Sequence, residues 1–329
     1  MTLENPPWAL VLAAGEGSRV RDITRDRWGH CAPKQFTSAG GGVTLLGATL
    51  RRARRIAPRK QIVTIVAAQH ERWWRPELNG VPSDNIIIQP ENRGTAAGIL
   101  LPLIWIIRHD RNATVIILPS DHFVEFEETL NGSLRQALSA VTRSEAPVVL
   151  LGVKPEGPEE EYGWIVPCSG PENCPHRVAS FREKPDACKT AELLSDGALL
   201  NTFIIVANSQ CLLALFKERI PQLWGPFEQM MVSRTMDSRQ QKDLAEFYHS
   251  IPSLDFSKDV LEGATERLWV YQVPSCGWTD LGTPQRLSDH LVRYGEHPHA
   301  TGTDVASAAT GRSWLPTESE IPKEHEEGL

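Results

Sequence analysis

A glycine-rich turn near the amino terminus is the segment of this chain best suited to chemistry on phosphates. Residues 13–19 (AAGEGSR) follow an apolar run, residues 8–12, that is typical of a buried strand. A strand that opens into a glycine turn presents successive backbone N–H groups, which suit an anionic phosphate chain. Arg19 and, further along, Lys34 add fixed positive charge for the same anion. The segment therefore predicts an enzyme that handles a nucleoside triphosphate.

Two widespread phosphate-binding motifs do not fit this turn. A dinucleotide-binding fingerprint needs a third glycine three positions after Gly17, where this chain has Val20. A Walker motif needs Gly-Lys-Ser or Gly-Lys-Thr, and neither tripeptide occurs in the sequence. A Gly-x-Gly turn alone is equally typical of a tight strand-to-helix connection. The prediction therefore depends on the combination of the turn with Arg19 and with Pro33-Lys34.

Further motifs follow in order along the chain and together carry a family resemblance. Residues 12–19 (LAAGEGSR), with Pro33-Lys34, resemble the signature of the sugar-1-phosphate nucleotidyltransferases. Residues 89–96 (QPENRGTA) resemble the mannose-1-phosphate guanylyltransferases within that family, and residues 118–122 (LPSDH), 183–185 (EKP) and 277–282 (GWTDLG) match further blocks. The resemblance implies an enzyme that transfers GMP from GTP to mannose 1-phosphate, giving GDP-mannose and pyrophosphate.

The resemblance also assigns roles to particular residues. It implies that Arg19 and Lys34 are catalytic, and that Asp121 and Asp280 hold Mg²⁺. Magnesium suits such a pair, because it takes one or two protein carboxylates together with phosphate oxygens. The nucleotide-binding residues that it implies, with the side chain at position 89 reading the guanine edge, are Ala14, Gly15, Gly17, Gln89, Gly94 and Thr95. The residues that it implies for the sugar phosphate are Gly163, Glu183, Lys184 and Asn201.

One position departs from the family pattern beside the expected sugar site. The chain has Asn201-Thr202-Phe203 where the family usually has Asn-Ser-Gly, and a bulky ring there can narrow or reshape the pocket. The same chemistry on a heptose or glucose 1-phosphate, or with another nucleoside triphosphate, therefore stays open. A function of another class is also open, a nucleotide-sugar-binding regulatory subunit without turnover. Retention of both aspartates argues against that class, since a regulatory chain does not need two metal ligands.

Apolar runs that alternate with helical patterns must position these motifs. Strands are predicted at residues 8–12, 61–66, 85–88, 114–118, 148–152, 162–166, 178–181, 199–206 and 267–273, and helices at residues 44–56, 95–108, 127–142, 187–195, 209–219 and 227–247. The alternation predicts an α/β protein with a mixed, mainly parallel sheet and helices on both faces, and the resemblance implies the Rossmann-like nucleotidyltransferase fold. Ligands of such sheets bind beyond the carboxyl ends of the strands, and the Gly15 turn, Gln89 and Asp121 all follow predicted strands.

Length, charge and hydropathy limit the remaining function classes. The 329 residues predict one nucleotidyltransferase domain over residues 1–295 and a disordered tail over residues 296–329, which is rich in Gly, Ser, Thr, Glu and Pro. A net charge of −7 argues against a nucleic-acid partner. The sequence shows no signal peptide and no apolar run of the ~18 residues that a membrane span needs. We therefore expect a cytoplasmic protein whose partners are GTP and a sugar 1-phosphate; family members often self-associate, which leaves a homo-oligomer open.

Overall fold

The predicted alternation of strands and helices is present in a computed structural model, which describes residues 5–20, 23–24, 32–37, 42–232 and 240–294. The strands within these residues are β1 (Trp8–Ala13), β2 (Ile62–Ala67), β3 (Ile86–Gln89), β4 (Thr114–Pro119), β5 (Val148–Val153), β6 (Gly163–Pro167), β7 (His176–Glu183), β8 (Leu199–Asn208) and β9 (Trp269–Gln272). The helices are α1 (Leu45–Ile56), α2 (Glu71–Glu77), α3 (Gly94–His109), α4 (Glu127–Thr142), α5 (Ala187–Ser195), α6 (Ser209–Arg219), α7 (Pro221–Val232), α8 (Gln240–Ser250) and α9 (Pro284–Tyr294).

One mixed sheet joins all of these strands, in the order β3-β2-β1-β4-β8-β5-β9-β7-β6. Strands β3, β2, β1 and β4 are parallel, whereas β8 runs antiparallel to both β4 and β5. Strand β6 also pairs with β8, so that the strands from β8 to β6 close into a ring. The predicted α/β class with a mixed sheet is therefore confirmed, and its parallel part gives four neighbouring strands whose carboxyl ends share one edge.

Helices cover both faces of the sheet because the strand side chains alternate between two apolar cores. In β1, Leu10 packs in the core that contains α3, α6 and α7, whereas Ala9 and Val11 pack in the core that contains α1 and α4. This alternation follows from the two-residue period of an extended chain. Each fully buried leucine or valine contributes about 1.5–3 kcal/mol relative to an exposed one. The sheet is thus held between two helical layers, as the sequence predicts.

In the amino-terminal half, the predicted strands and helices up to residue 153 end within one residue of their observed limits. The helix predicted at residues 227–247 begins too late, since α7 begins at Pro221; α8 begins at Gln240, and residues 233–239 lie outside the described part. Gly225 and Pro226 disfavour a helix on propensity alone, but the burial of Leu223 and Trp224 against the core favours it there. The sequence patterns also do not predict α2 or α9. The predicted tail, residues 296–329, lies outside the described residues.

Within the described residues, none of the helices combines the length and the apolar character that crossing a bilayer requires.

Candidate active site

A pocket of about 300 Å³ opens at the carboxyl edge of the parallel strands. It brings together most of the predicted site residues, namely Gly15, Gly17, Arg19, Thr95, Asp121, Gly163, Glu183, Lys184, Asn201 and Asp280. A second cavity of about 160 Å³ adjoins it and adds Lys34. Ala14, Gln89 and Gly94 are not among the described residues that border either cavity.

The glycine turn and the segment that carries Lys34 form one structural unit. Gly17 has a φ of +61°, and a Cβ atom there would lie 2.7 Å from the backbone nitrogen of Lys34. The side-chain amide of Gln35 donates hydrogen bonds to the carbonyl oxygens of Ala13 (3.2 Å) and Gly15 (2.7 Å). A glycine at position 17 is therefore needed for both its backbone conformation and its close approach to the lysine segment.

Lys34 links the two predicted metal ligands. Its side chain is buried, and its Nζ lies 2.8 Å from Oδ2 of Asp121 and donates a hydrogen bond to the backbone carbonyl of Asp280. Burial opposes ionisation of Asp121, but the charge and the hydrogen bond of Lys34, together with smaller contributions from its surroundings, outweigh burial and lower the pKa of the carboxyl to about 2. Burial lowers the pKa of the neighbouring His122, which favours a neutral imidazole. Two acids that are 159 residues apart in the sequence thus lie at one buried ammonium group.

A short antiparallel bridge brings these acids together. The backbone of Phe123 donates to the carbonyl of Thr279 at 2.9 Å and accepts from its N–H at 3.0 Å. Phe123 lies two residues after Asp121, and Thr279 directly precedes Asp280. The pair of bonds therefore holds the two segments that carry the aspartates side by side.

The carboxylate of Asp280 is held strongly by one of its two oxygens. Its Oδ1 accepts hydrogen bonds from the Tyr162 hydroxyl (2.6 Å), from the Gly282 N–H (2.9 Å) and from Nη1 of Arg286 (2.8 Å). Burial alone would raise the pKa of Asp280, but Lys34 and these donors lower it. Burial and the nearby carboxylate raise the pKa of Tyr162, so that its hydroxyl stays a donor. Asp280 is therefore ionised and fixed in orientation.

Arg19 spans the pocket between two acids. Its Nη1 lies 2.6 Å from Oε2 of Glu161, and its Nη2 lies 3.7 Å from Oδ2 of Asp280. About half of the Arg19 side chain is exposed, so these pairs are weak, of the order of 0–1 kcal/mol. The guanidinium is thus positioned over the pocket by contacts that an incoming phosphate can replace.

The sugar-phosphate residues predicted by resemblance meet around Gly163 at the start of β6. A Cβ atom on Gly163 would lie 2.6 Å from Oε2 of Glu183 and 3.3 Å from Cβ of Asn201, so the glycine makes room for both side chains. The backbone N–H of Lys184 donates to the carbonyl of Tyr162 at 3.1 Å. Burial, and then the charge of Asp255, raises the pKa of Glu183 to about 7. This part of the pocket therefore offers a carboxyl group that can donate or accept a hydrogen bond near neutral pH.

Phe203, which departs from the family pattern, has the backbone that a glycine prefers. Its φ is +58°, and its N–H donates to Oδ1 of Asn201 at 3.1 Å. The ring lines the pocket and packs edge-on against Phe256, with ring centroids 6.2 Å apart. An L-residue in the left-handed region costs about 1–2 kcal/mol, so the backbone conformation at position 203 is less favourable with phenylalanine than with glycine.

The loop between β3 and α3 is tied to the segment before the π-helix at Ser257–Leu261. Gly94 has a φ of +79°, and a Cβ atom there would lie 2.2 Å from the carbonyl oxygen of Leu254. The N–H of Ala96 donates to that same carbonyl at 3.1 Å, and the N–H of Phe256 donates to Oγ1 of Thr95 at 2.7 Å. These contacts require glycine at position 94 without any nucleotide, so its predicted role in nucleotide binding stays a prediction.

Gln89 lies beneath α3 and not in the wall of the pocket. The residue is 2% exposed, and its Oε1 has no hydrogen-bond partner among the residues that the structure describes. An unpaired buried acceptor costs roughly 1–3 kcal/mol. The role of Gln89 in recognition of a base also stays a prediction.

A family model described as nucleotidyl transferase matches residues 8–296 of the chain. The chain belongs to the nucleotidyl transferase family. Curated relatives include mannose-1-phosphate guanylyltransferase 2 of Escherichia coli O157:H7, which is 28% identical over 96% of this chain and 66% of its own length. The mannose-1-phosphate guanylyltransferase of Sinorhizobium fredii is 26% identical over 83% of this chain and 52% of its own length. This nucleotidyltransferase chain thus spans about half to two thirds of the length of these relatives.

Solved structures agree with the family. The structure described as mannose-1-phosphate geranyltransferase from Thermus thermophilus superposes with a TM-score of 0.74 at 27% identity, covering 89% of this chain and 80% of that one. A putative glucose-1-phosphate thymidylyltransferase from Bacillus anthracis gives a TM-score of 0.53 at 16% identity, covering 89% of this chain and 96% of that one, which shows the fold alone. The family resemblance and the fold class predicted from the motifs are confirmed.

Four residues of this nucleotidyltransferase site are missing from the sequence prediction. Glu161 and Tyr162 precede a predicted glycine, Arg286 follows the 277–282 motif, and Asp255 lies outside all of the motifs. The sequence gives a partial indication for Tyr162, because it directly precedes Gly163 at the start of a predicted strand. The Arg19–Glu161 and Arg286–Glu159 ion pairs join residues more than 120 positions apart, and no local pattern predicts them, although Arg286 also pairs with Asp280 six residues before it.

Proposed function

We propose that this nucleotidyltransferase transfers GMP from GTP to mannose 1-phosphate, giving GDP-mannose and pyrophosphate. The names of the guanylyltransferase relatives support the choice of substrates. The observation that carries the proposal is the buried ammonium of Lys34, which contacts Asp121 and the backbone of Asp280 directly beside the glycine turn. This arrangement combines positive charge, carboxylates and backbone N–H groups at one point of the pocket.

The proposed reaction needs charge neutralisation and alignment more than it needs proton transfer. A phosphate oxygen of the sugar 1-phosphate attacks the α-phosphorus of the triphosphate, the bond to the bridging oxygen breaks, and pyrophosphate leaves with its electron pair. The second pKa of a phosphate monoester is about 6, so the attacking group is mostly dianionic at neutral pH. No general base is required, and positioning with electrostatic stabilisation carries the rate enhancement.

Lys34 and Arg19 have complementary parts in this scheme. Lys34 is fixed by its acidic partners before any substrate arrives, so its charge needs little reorganisation during the reaction. Arg19 is half-exposed and is held loosely by Glu161. Its planar guanidinium can turn from Glu161 to the phosphates, whose oxygens it matches in a bidentate manner. Arg19 would therefore bind the triphosphate and the departing pyrophosphate.

Asp121 and Asp280 fit a magnesium ion by the chemistry of their donor atoms. Both are ionised carboxylates at the pocket. The described residues contain no group of three or more His, Cys, Asp or Glu side chains that could hold a metal without further ligands. Two carboxylates completed by phosphate oxygens is an arrangement that Mg²⁺ takes readily. A bound Mg²⁺ would supply further neutralisation of phosphate charge. The residues that would hold it are Asp121 and Oδ2 of Asp280, since Oδ1 already has three donors.

The proposed sugar site is the part of the pocket around Glu183, Lys184 and Asn201. Lys184 supplies positive charge for the sugar phosphate, and Glu183 and Asn201 supply hydrogen bonds for hydroxyl groups. The Phe203 ring in the same wall favours a second candidate, the same transfer to a sugar 1-phosphate other than mannose 1-phosphate. The proposed base site comprises Gln89, Gly94 and Thr95, of which Thr95 borders the pocket.

Pyrophosphate release from the purified protein tests both candidates. The protein is given Mg²⁺, each of the four common nucleoside triphosphates, and mannose, glucose or heptose 1-phosphate. We expect the highest kcat/KM with GTP and mannose 1-phosphate. A higher value with another sugar would select the second candidate, and tight GTP binding without pyrophosphate from any sugar would favour the regulatory class.

Matched aspartate variants test the site itself. Asp121→Asn and Asp280→Asn are each expected to lower kcat at least 100-fold, whereas Asp84→Asn, an exposed aspartate in the turn before β3, should have no effect. Undiminished turnover by Asp280→Asn would remove the metal assignment.

A further inference from the structure

Arg286 joins Asp280 to two neighbours without reaching the pocket. Its Nη1 donates to Oδ1 of Asp280 at 2.8 Å, and its Nη2 donates to Oε2 of Glu159 at 2.7 Å. Its guanidinium carbon lies 4.5 Å from the centre of the Tyr162 ring. The side chain is 18% exposed and is not among the described residues that border either cavity. Arg286 can therefore act on a bound substrate through Asp280 but not directly.

The first turn of α9 fixes the backbone of Arg286. Its N–H donates to Oγ1 of Thr283 at 3.2 Å, and the N–H of Leu287 donates to the Thr283 carbonyl at 3.1 Å. Leu287 is buried in an apolar cluster with Leu281 and Val20. A capped and packed helix start fixes the backbone from which the guanidinium reaches Asp280.

The donors around Asp280 are distributed unequally between its two oxygens. Tyr162, Gly282 and Arg286 all donate to Oδ1, whereas Oδ2 faces Arg19 at 3.7 Å. The terminal torsion of an aspartate is broad, so an unrestrained carboxylate takes a wide range of orientations. Three donors on one oxygen hold the carboxylate plane in one orientation, in which the other oxygen faces Arg19. Two of the three donors, Tyr162 and Arg286, also stack on each other.

We propose that Arg286 is a positioning residue for the transfer reaction: together with Tyr162 it holds Oδ1 of Asp280, so that Oδ2 stays directed at the phosphates and their cation. This inference rests on the proposed function. It depends on the forked shape of the guanidinium, because one arm binds Asp280 and the other binds Glu159. Lysine has one compact ammonium and cannot make both contacts over the Tyr162 ring.

Three variants of the full chain test the proposal. Arg286→Lys keeps the charge and removes the fork. Glu159→Gln removes the outer anchor at a residue with about a third of its side chain exposed, so that folding is little affected. Arg267→Lys, at an arginine that pairs with Glu218 on the surface, is the matched control. Each variant is assayed for kcat, for KM of GTP and for the Mg²⁺ concentration that gives half-maximal rate. In parallel, Mn²⁺ binding in the presence of GTP and the absence of sugar phosphate is measured by electron paramagnetic resonance.

The expected result separates positioning from simple structural support. Arg286→Lys should lower kcat at least 10-fold, raise the half-maximal Mg²⁺ concentration at least 5-fold and weaken GTP-dependent Mn²⁺ binding, with less than a 2-fold change in KM for GTP. Glu159→Gln should change the same quantities in the same direction by a smaller factor, and Arg267→Lys should change none of them. Wild-type kcat and Mn²⁺ binding in Arg286→Lys would overturn the inference, as would a loss of kcat that follows the unfolded fraction.

The Mn²⁺ measurement also distinguishes this inference from the proposed function. If wild-type protein releases no pyrophosphate but retains Mn²⁺ with GTP, and Arg286→Lys loses it, the proposed reaction fails while the positioning role of Arg286 stands. If wild-type protein shows neither turnover nor GTP-dependent Mn²⁺ retention, both are overturned.

Discussion

Replacing Phe203 by glycine and by alanine tests whether the backbone conformation at this position lowers the stability of the protein when the residue is not glycine. Phe203 has a φ of +58° and lines the pocket next to Phe256. Both substitutions remove the ring and its packing. They differ in the backbone, because glycine adopts positive φ without steric cost, whereas alanine keeps its Cβ atom.

The size of the difference follows from this backbone conformation. The left-handed region costs an L-residue about 1–2 kcal/mol in the folded state. The greater flexibility of glycine in the unfolded chain lowers the stability of the glycine variant by about 0.5–1 kcal/mol, which offsets part of that difference. We therefore expect Phe203→Gly to be more stable than Phe203→Ala by about 1 kcal/mol. At a strand position with ordinary φ, alanine is expected to be more stable than glycine. Ala179→Gly in β7 should therefore lower stability.

Equilibrium urea unfolding followed by circular dichroism measures these differences directly. Both Phe203 variants should also widen the sugar part of the pocket equally, so their ratio of kcat/KM values for mannose and heptose 1-phosphate should be the same. A variant pair in which Phe203→Ala equals or exceeds Phe203→Gly in stability would refute the backbone argument. Different sugar ratios in the two variants would refute the assignment of specificity to the ring.

Three further predictions concern the ion pair of Arg19, the partly buried Glu183 and the loop at Gly94. Glu161→Gln should lower the KM for GTP up to about 5-fold, since Arg19 no longer has to leave an ion pair of at most about 1 kcal/mol; an increased KM would contradict this. The pKa of Glu183 is raised from 4.5 to about 7, so the native state binds its proton more tightly and stability falls as pH rises through that range. Urea unfolding of Glu183→Gln between pH 4.5 and 7 should lack this fall. Gly94→Ala should lower stability by more than about 1 kcal/mol in the same assay, because its Cβ atom would meet the Leu254 carbonyl.

Local sequence patterns predict the parallel half of the fold well because each strand there is a continuous apolar run. Strands β1, β2 and β4 have almost all of their side chains buried, and such runs are recognisable without knowledge of their neighbours. The late start of the helix predicted at residues 227–247 has the opposite cause. There the tertiary burial of Leu223 and Trp224 outweighs the low propensity of Gly225 and Pro226.

The residues of the candidate site also divide into those that local motifs predict and those that only tertiary contacts bring together. The glycine turn, Lys34 and the two aspartates belong to short motifs, and their residue types and order along the chain are enough to indicate phosphate chemistry. Tyr162 belongs to the same site through a hydrogen bond to Asp280, 118 residues away, and Arg286 is anchored by Glu159, 127 residues away; such contacts leave no local pattern. The motifs therefore identify residues that border the pocket, whereas the residues that orient them become visible once the chain is folded.

The convergence of Asp121 and Asp280 depends on backbone pairings between segments that are distant in the sequence. Val11 of β1 pairs with Leu118 of β4, which sets the glycine turn beside the residues that follow β4. The Phe123–Thr279 bridge then attaches the carboxyl-terminal segment to that point. Lys34 completes the arrangement, because the short turn that carries it packs against the glycine turn. Three separate segments thus meet at one ammonium group, and this makes their chemistry a property of the sheet topology and not of any single stretch of sequence.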